Sequence, residues 1–228
     1  MNQSVPRFTL PFLVLTVLFC VCLIVSNLIE IKTVDIGFAT ITAGMVVFPL
    51  SYIINDCIVE VYGFRKARTV IWLGFAMNLL VTLFLQFAIL LPGADSWQSQ
   101  DAMEAVYGTV PRILGASFVA FLCGSMVNAL VMSKMKVASG GRHFSLRAIV
   151  STLWGEGTDS IIFFPLAFGG ILPWREIVSL IVAQALLKTA YEIVILPVTL
   201  KVVKKLKSIE STDTYDRGIS YSLSLIHI

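Results

Sequence analysis

The order of apolar and polar positions along the chain predicts six long helices. Six apolar segments cover roughly residues 10–29, 40–60, 69–91, 111–133, 147–169 and 175–203. A helix of about 20 apolar residues crosses the roughly 30 Å hydrocarbon core of a bilayer. Charged residues interrupt the last two segments, which nevertheless keep long apolar flanks on both sides. We therefore predict an all-α membrane protein with six transmembrane helices.

Composition supports a bilayer as the partner. Of the 228 residues 57% are apolar and 14% are charged, whereas a soluble domain carries about 25% charge. Disordered chains are poor in apolar residues, so disorder is excluded. The net charge of +3 does not indicate nucleic-acid binding. The four cysteines lie in or beside apolar segments without metal-ligand spacing, so we interpret them as packing residues and expect no metal site.

The basic residues predict the orientation of the helices. Twelve of the 17 lie on one set of flanks, at Arg7 and within 65–68, 134–147 and 201–207, and only three lie on the opposite flanks. Because loops rich in lysine and arginine stay in the cytoplasm, both termini are expected there. The expected location is the inner, or cytoplasmic, membrane, with several passes.

The chain divides into one six-helix transmembrane domain, residues 1–207, and a polar or irregular C-terminal tail, residues 208–228. We expect 208–217 to be solvated and assign no role to 218–228. The first apolar run ends in Val25-Ser26-Asn27-Leu28-Ile29 and lacks the small-x-small cleavage pattern of a signal peptide. It is therefore expected to be a retained helix.

Motifs for catalysis are missing from the sequence. The two histidines, His143 and His227, fall in a predicted loop and in the tail, away from any intramembrane nucleophile or metal-binding pattern. No Gly-x-x-x-x-Gly-Lys-Ser/Thr loop is present, so the chain has no ATPase site of its own. We expect neither an enzyme nor a cofactor.

Ionisable residues inside the predicted spans are the candidate functional groups, because each costs roughly 2.5–3.5 kcal/mol to insert. They form three pairs that each share a helix face: Asp56 with Glu60, Glu156 with Asp159, and Lys188 with Glu192. At about 1.5 Å per residue, Glu156 lies about 13 Å past Arg147, and Lys188 lies about 10 Å from the same side of the bilayer. Glu156 and Lys188 could therefore meet. The surplus acid would be protonated or would pair with a ligand.

Uncharged polar and aromatic residues extend this candidate site. Phe48 and Tyr52 precede Asp56 at four-residue spacing. Aromatic rings beside carboxylates suit a flat ligand with several N–H donors. The candidate substrate-binding residues are Asn27, Asp56, Asn128, Glu156, Asp159, Gln184 and Lys188, with Tyr52, Glu60 and Glu192 in structural or coupling roles.

Two alternatives stay open for these residues. Lys188 and Glu192 could form a structural pair within one helix while Glu60 reaches the headgroups. In the extreme case the buried charges only lock helices together in a protein that transports nothing.

Two further patterns concern architecture. Asn27 precedes Asp56 by 29 residues and Asn128 precedes Asp159 by 31, which would suit a 3+3 inverted repeat of the kind found in secondary transporters. Ala116, Ala120 and Gly124 line one face of the fourth segment. Small residues at this spacing let helices approach closely. The neighbour could lie in the same chain or in a homodimer.

Three stretches resemble the queuosine precursor transporter family, also called the VUT family. They are Ser26-Asn27-Leu28, the run Asn55-Asp56-Cys57-Ile58-Val59-Glu60-Val61-Tyr62-Gly63, and the run Ser151-Thr152-Leu153-Trp154-Gly155-Glu156-Gly157-Thr158-Asp159-Ser160. The resemblance extends from about residue 12 to 206. It implies import of a 7-deazaguanine, in the 7-cyano or 7-aminomethyl form, for salvage into the queuosine of tRNA.

Within this resemblance the candidate residues acquire roles. Glu156 or Asp159 would read the guanine edge, and Lys188 would hold the other acid ionised. Asp56 and Asn27 would lie opposite them. The alternative is a substrate-binding membrane subunit that needs a separate ATPase partner and takes a vitamin or a nucleobase-like solute.

Overall fold

The part of the chain that the computed structural model describes is almost entirely helical. It comprises residues 8–29, 32–35, 40–108, 111–170, 172–219 and 221. Its helices are α1 (Leu10–Ile29), α2 (Phe48–Tyr62), α3 (Phe64–Leu90), α4 (Gln100–Tyr107), α5 (Pro111–Ser139), α6 (Phe144–Phe168) and α7 (Trp174–Glu210). Two short strands, β1 (Thr33–Asp35) and β2 (Thr40–Thr42), pair antiparallel between α1 and α2. The prediction of an all-α architecture is confirmed apart from this small hairpin.

The predicted second segment was wrong at its start. Residues 40–42 belong to strand β2, a 3-10 turn follows at Ala43–Val46, and α2 begins only at Phe48. Pro49 lies in the first turn of α2, where a missing N–H removes no hydrogen bond of the helix. The short helix α4 was also missed, since its eight residues carry no long apolar run. In contrast, α5 and α7 continue several residues past their predicted ends, because their lysine-rich last turns remain helical.

Five helical segments of the described residues are long and apolar enough to cross a membrane. They are Leu10–Ile29, Ala43–Tyr62, Phe64–Leu90, Gly115–Ser139 and Trp174–Glu210. Helix α6, the fifth predicted segment, has 25 residues and so a length of about 37 Å. It carries Glu156 and Asp159 near its middle, and it packs against both α5 and α7.

The apolar core lies among α1, α2, α3 and α5. Phe19 and Leu23 of α1 are fully buried together with Ile58 of α2 and Ile71 of α3. Gly74 is the point of closest approach, because a Cβ atom there would lie 2.6 Å from the Phe19 ring. Large apolar side chains on the other faces of α1, α3 and α7 are exposed, as expected for surfaces that contact lipid.

The C-terminal tail is mostly exposed but contacts the bundle through Asp216. Helix α7 ends at Glu210, three residues into the predicted tail, and the following residues return to the bundle. The side chain of Asp216 is buried and accepts hydrogen bonds from the Phe64 backbone N–H (2.8 Å) and the Ser133 hydroxyl (2.5 Å). Most side chains of 208–217 are exposed, as expected for a solvated segment, and Asp216 is the buried exception. Residues 222–228 of the tail and Arg7 lie outside the described residues.

Candidate functional site

Five buried ionisable side chains from three helices form the candidate site, which we call the central acidic site. They are Asp56 of α2, Glu156 and Asp159 of α6, and Lys188 and Glu192 of α7. Each is at most 9% exposed, and Asp56 and Glu156 are fully buried. Glu156 is the midpoint of α6, about 18 Å of helix from either end. The helix lengths alone therefore place the site deep inside the bundle.

Lys188 of α7 links this helix to α6 at the central acidic site. Its ammonium nitrogen lies 2.8 Å from a carboxylate oxygen of Glu156 and 3.5 Å from one of Asp159. It also lies 4.2 Å from the centre of the Phe48 ring, which is within cation–π range. The expected meeting of Glu156 and Lys188 is thus observed. The alternative in which Lys188 pairs with Glu192 on the same helix is not the arrangement found.

Asp56 and Glu192 form the second half of the site. The two carboxylates are neighbours, with the hydroxyl of Thr152 beside Glu192. Ser151 donates to both oxygens of Asp56, at 3.2 and 3.3 Å. Among the described residues the ion pairs go to Glu60, Glu156, Asp159 and Asp213, and none goes to Asp56 or Glu192.

Helix α5 closes the site with uncharged groups. The Asn128 carbonyl oxygen accepts a hydrogen bond of 2.6 Å from Asn55 of α2, which also donates to the Ser125 backbone carbonyl at 3.3 Å. Sequence reasoning missed Asn55, although it directly precedes Asp56 in the motif. Its two hydrogen bonds hold α2 against α5 at the level of Asp56.

Several fully buried polar atoms at the site have no hydrogen-bond partner in the described structure. They are the Tyr52 hydroxyl, Asn55 Oδ1, Asn128 Nδ2 and Ser160 Oγ. Buried polar groups in folded proteins are normally paired. A concentration of unpaired donors and acceptors around one point is typical of a site that receives a polar ligand.

Two of the candidate residues lie apart from this site. Asn27 lines a small cleft among α1, α3 and α4, together with Asn78, Gln86 and Tyr107. Gln184 is half-buried on α7, one turn before Lys188. The structure therefore brings together Asp56, Asn128, Glu156, Asp159 and Lys188, with Tyr52 and Glu192 beside them.

Glu60 belongs to a separate group that we call the Glu60 cluster, which also contains Lys136, Arg147, Lys207 and Asp213. Arg147 donates to both carboxylate oxygens of Glu60, at 2.5 and 3.1 Å, and Lys207 donates at 2.6 Å. Lys136 donates to the Glu60 backbone carbonyl and to Asp213. Glu60 is only 1% exposed, so the alternative in which it reaches the headgroups was wrong.

The small residues of α5 pack inside the chain. Ala116, Ala120 and Gly124 are buried, and Gly124 faces Gly155 of α6. This face therefore has its neighbour in the same chain and supplies no argument for a homodimer.

Comparison with known proteins identifies the family. Residues 42–202 match a family described as "Putative vitamin uptake transporter". A Bacillus subtilis (strain 168) protein named "Probable queuosine precursor transporter" is 32% identical over 75% of this chain and 76% of its own length. The chain belongs to the VUT family, the family of the queuosine precursor transporters. It is accordingly a multi-pass membrane protein of a transporter family.

Other relatives agree with this membership. The "Queuosine precursor transporter" of Escherichia coli (strain K12) is 29% identical over 70% of this chain and 67% of its own length. A Haemophilus influenzae protein named "Probable queuosine precursor transporter" is 24% identical over 56% of this chain and 52% of its length. No solved structure matches the chain. The region matched by the VUT family contains the whole central acidic site, whereas Asn27 lies before it.

Proposed function

We propose that this VUT-family member imports queuosine precursors across the inner membrane. The substrates would be 7-cyano-7-deazaguanine, 7-aminomethyl-7-deazaguanine or both, destined for salvage into the queuosine of tRNA. The names of the relatives support the substrate class. The observation that carries the proposal is the buried Glu156–Lys188–Asp159 group beside unpaired polar atoms at mid-helix depth. Ionisable residues at such depth normally face a substrate or ion pathway.

The chemistry of the site matches a deazaguanine. Its ring N–H and exocyclic amine lie side by side and form a donor pair that one carboxylate can accept. We assign this reading of the guanine edge to Glu156 or Asp159, with Lys188 keeping the other acid ionised. Phe48 and Tyr52, with ring centres 5.7 Å apart, supply an aromatic wall next to Lys188. A second carboxylate could neutralise the cation of the aminomethyl form.

In this proposal Asp56 and Asn128 would line the other side of the substrate. Asn27 would instead line the separate cleft among α1, α3 and α4. Gln184, one turn from Lys188 on α7, would extend the site in the direction of the first turn of α7.

We further propose that α6 crosses the membrane in addition to the five segments named above, which makes six spans, and that both termini lie in the cytoplasm. Helix α6 packs between α5 and α7, and its Glu156 and Asp159 are compensated by Lys188. The Glu60 cluster joins the end of α2, the ends of α5 and α7 and the start of α6 at one face of the bundle. These are the helix ends that carry most of the basic residues, in agreement with the positive-inside rule.

Transport would proceed by alternating access without an ATPase site in the chain. Asp56 of α2 and Asp159 of α6 come from the first and second groups of three spans, and both belong to the central acidic site. That placement agrees with a site between two inverted three-helix halves.

The first test is a salvage assay in cells. The gene would be expressed in a bacterium that cannot make the precursor and lacks its own importer, fed limiting 7-cyano- or 7-aminomethyl-7-deazaguanine. We expect queuosine to return to tRNA, and to be lost with Asp159→Asn. The matched control is Asp101→Asn, the same chemical change at an exposed position of α4. No queuosine with either precursor, despite folded protein in the membrane, would refute the proposed substrate.

The rival function, a binding subunit energised by a separate ATPase, requires a second assay. The purified chain in liposomes without ATP should take up the labelled deazaguanine if it is a complete transporter. Uptake that appears only with a co-purified ATPase would favour the rival.

A further inference from the structure

The carboxylates of the central acidic site outnumber its cations. Asp56, Glu156, Asp159 and Glu192 are all buried there, and Lys188 contacts only Glu156 and Asp159 among them at ion-pair distance. Glu60 does not change this balance, since Arg147 and Lys207 already compensate it in its own cluster. Two adjacent carboxylates, Asp56 and Glu192, are therefore left without a nearby cation in the described structure.

Few groups near Asp56 and Glu192 could compensate the negative charges of these two carboxylates. Two negative charges side by side in a buried, low-dielectric place strongly repel each other. The hydroxyls of Ser151 and Thr152 lie beside them, but a hydroxyl cannot cancel a full charge. A proton shared between the two carboxylates would remove this repulsion.

The helices packed around Asp56 and Glu192 supply no free positive charge in the described residues. The titratable and charged groups near the pair are Tyr52, Cys57 and Glu60 on α2, Glu156 and Asp159 on α6, and Lys188 on α7. The groups that α5 contributes at this level, Ser125 and Asn128, are uncharged. Lys188 is the one cation at this level in the described residues, and it is engaged by the other two acids.

The pair is also connected to the proposed substrate site through both helices. Glu192 lies one turn after Lys188 on α7, and Thr152, beside Glu192, lies one turn before Glu156 on α6. A substrate that displaces Lys188 or Glu156 would shift the helices that carry Glu192 and Thr152. Occupancy of the two places would then be energetically coupled, and such coupling is reciprocal.

We propose that Asp56 and Glu192 form the proton-binding site that drives substrate uptake. In each cycle the pair takes one proton from the outer side, and both substrate and proton leave on the inner side. Glu192 is the residue that carries the coupling, while Glu156, Asp159 and Lys188 hold the substrate. This inference rests on the proposed function and adds its energy source.

The test separates proton coupling from substrate binding. The purified chain is placed in sodium-free liposomes with labelled 7-cyano- or 7-aminomethyl-7-deazaguanine, and two rates are measured. One is exchange of external for internal substrate, which needs no net proton movement. The other is accumulation against a gradient when the outside is made acidic. For one proton per substrate, each pH unit supports up to about tenfold accumulation.

We expect Glu192→Gln to keep exchange and to lose accumulation. The control Glu176→Gln makes the same change at an exposed position on the same helix and should keep both. Accumulation that persists in Glu192→Gln would overturn the proposal, as would accumulation that is indifferent to the pH gradient or that appears only when sodium is added outside. Absence of exchange in the unaltered protein would instead refute the proposed substrate.

A second measurement uses only the unaltered protein and so does not depend on the folding of the variant. A pH-sensitive dye inside the liposomes reports whether substrate entry acidifies the interior of vesicles carrying the unaltered protein. Acidification that a protonophore abolishes is expected. Substrate uptake without acidification would overturn the proposal, whatever the stability of Glu192→Gln.

Discussion

Gly124 of α5 and Gly155 of α6 bring their two helix backbones together beside the central acidic site. A Cβ atom on Gly124 would lie 2.8 Å from the Gly155 carbonyl oxygen, and one on Gly155 would lie 3.0 Å from the Gly124 carbonyl oxygen. Tyr52 touches both positions, at 2.6 and 2.8 Å from the two Cβ positions. Only hydrogen fits at either position, so this contact holds α6 close to α5 at the residue directly before Glu156.

The first prediction follows from this contact. Gly155→Ala should destabilise the protein by about 1–3 kcal/mol, because the added methyl group overpacks a rigid backbone contact. Gly157→Ala is the matched control, since a Cβ atom there meets nothing within 4 Å. Alanine in place of glycine within a helix is otherwise favourable by roughly 0.5–1 kcal/mol. Thermal unfolding in detergent should thus lower the Tm of the first variant alone, and equal Tm values would contradict the packing described.

The second prediction concerns Lys188. Lys188→Gln leaves Glu156 and Asp159 buried without their cation, and breaking a buried ion pair in this way costs about 3–5 kcal/mol. Adding Glu156→Gln removes one of the two acids and should recover part of the loss. Lys201→Gln, an exposed lysine of the same helix, is the control. If Lys188→Gln unfolds at the same temperature as the control, the ion pairs contribute nothing to stability.

The third prediction concerns the two-point contact between Arg147 and Glu60. Lysine cannot donate in parallel to both carboxylate oxygens, so Arg147→Lys should lose one charged hydrogen bond, worth about 1.5–3 kcal/mol. Arg142→Lys makes the same change at an exposed residue five positions earlier and should be neutral. Chemical or thermal unfolding of the two variants gives the comparison. A neutral Arg147→Lys would show that Lys136 and Lys207 satisfy Glu60 without it.

The fourth prediction is a pH dependence of tail docking. Partial burial raises the pKa of Asp213, but hydrogen bonds from Lys136 and Lys207 outweigh it and hold this pKa below its usual range. A lowered pKa in the folded state adds stability above the unfolded-state value of about 3.9, and this is lost as pH falls through the lower folded value. The tail should therefore stay docked at mildly acid pH and detach only in stronger acid.

Hydrogen–deuterium exchange of the peptide that covers 211–219 would measure this detachment. Asp213→Asn should raise exchange at neutral pH and remove this pH dependence. Asp95→Asn, at an exposed position before α4, is the control and should change neither. An unaltered pH profile in Asp213→Asn would show that other groups hold the tail.

The hydropathy pattern predicted most of the fold because burial in a bilayer depends on each residue and its near neighbours. Helices α1, α3 and α7 contain their predicted segments almost entirely. The strand pair β1–β2 and the helix α4 escaped prediction because such short elements carry no long apolar run. One contact of the tail escaped prediction for a related reason. Its polarity indicates solvent, but Asp216 is buried by a partner, the Phe64 N–H, that lies 152 residues away.

The sequence by itself determined which segments are apolar, which helix faces carry ionisable residues and at what depth they lie. Depth along a helix follows from a fixed rise per residue, which is why Glu156 and Lys188 could be matched in advance. Only the tertiary structure decided that Asn27 lines a different cleft, that Glu60 pairs with Arg147 from 87 residues away, and that Asp56 lies beside Glu192. Such pairings depend on how helices rotate and cross, and backbone contacts such as Gly124 with Gly155 set this geometry.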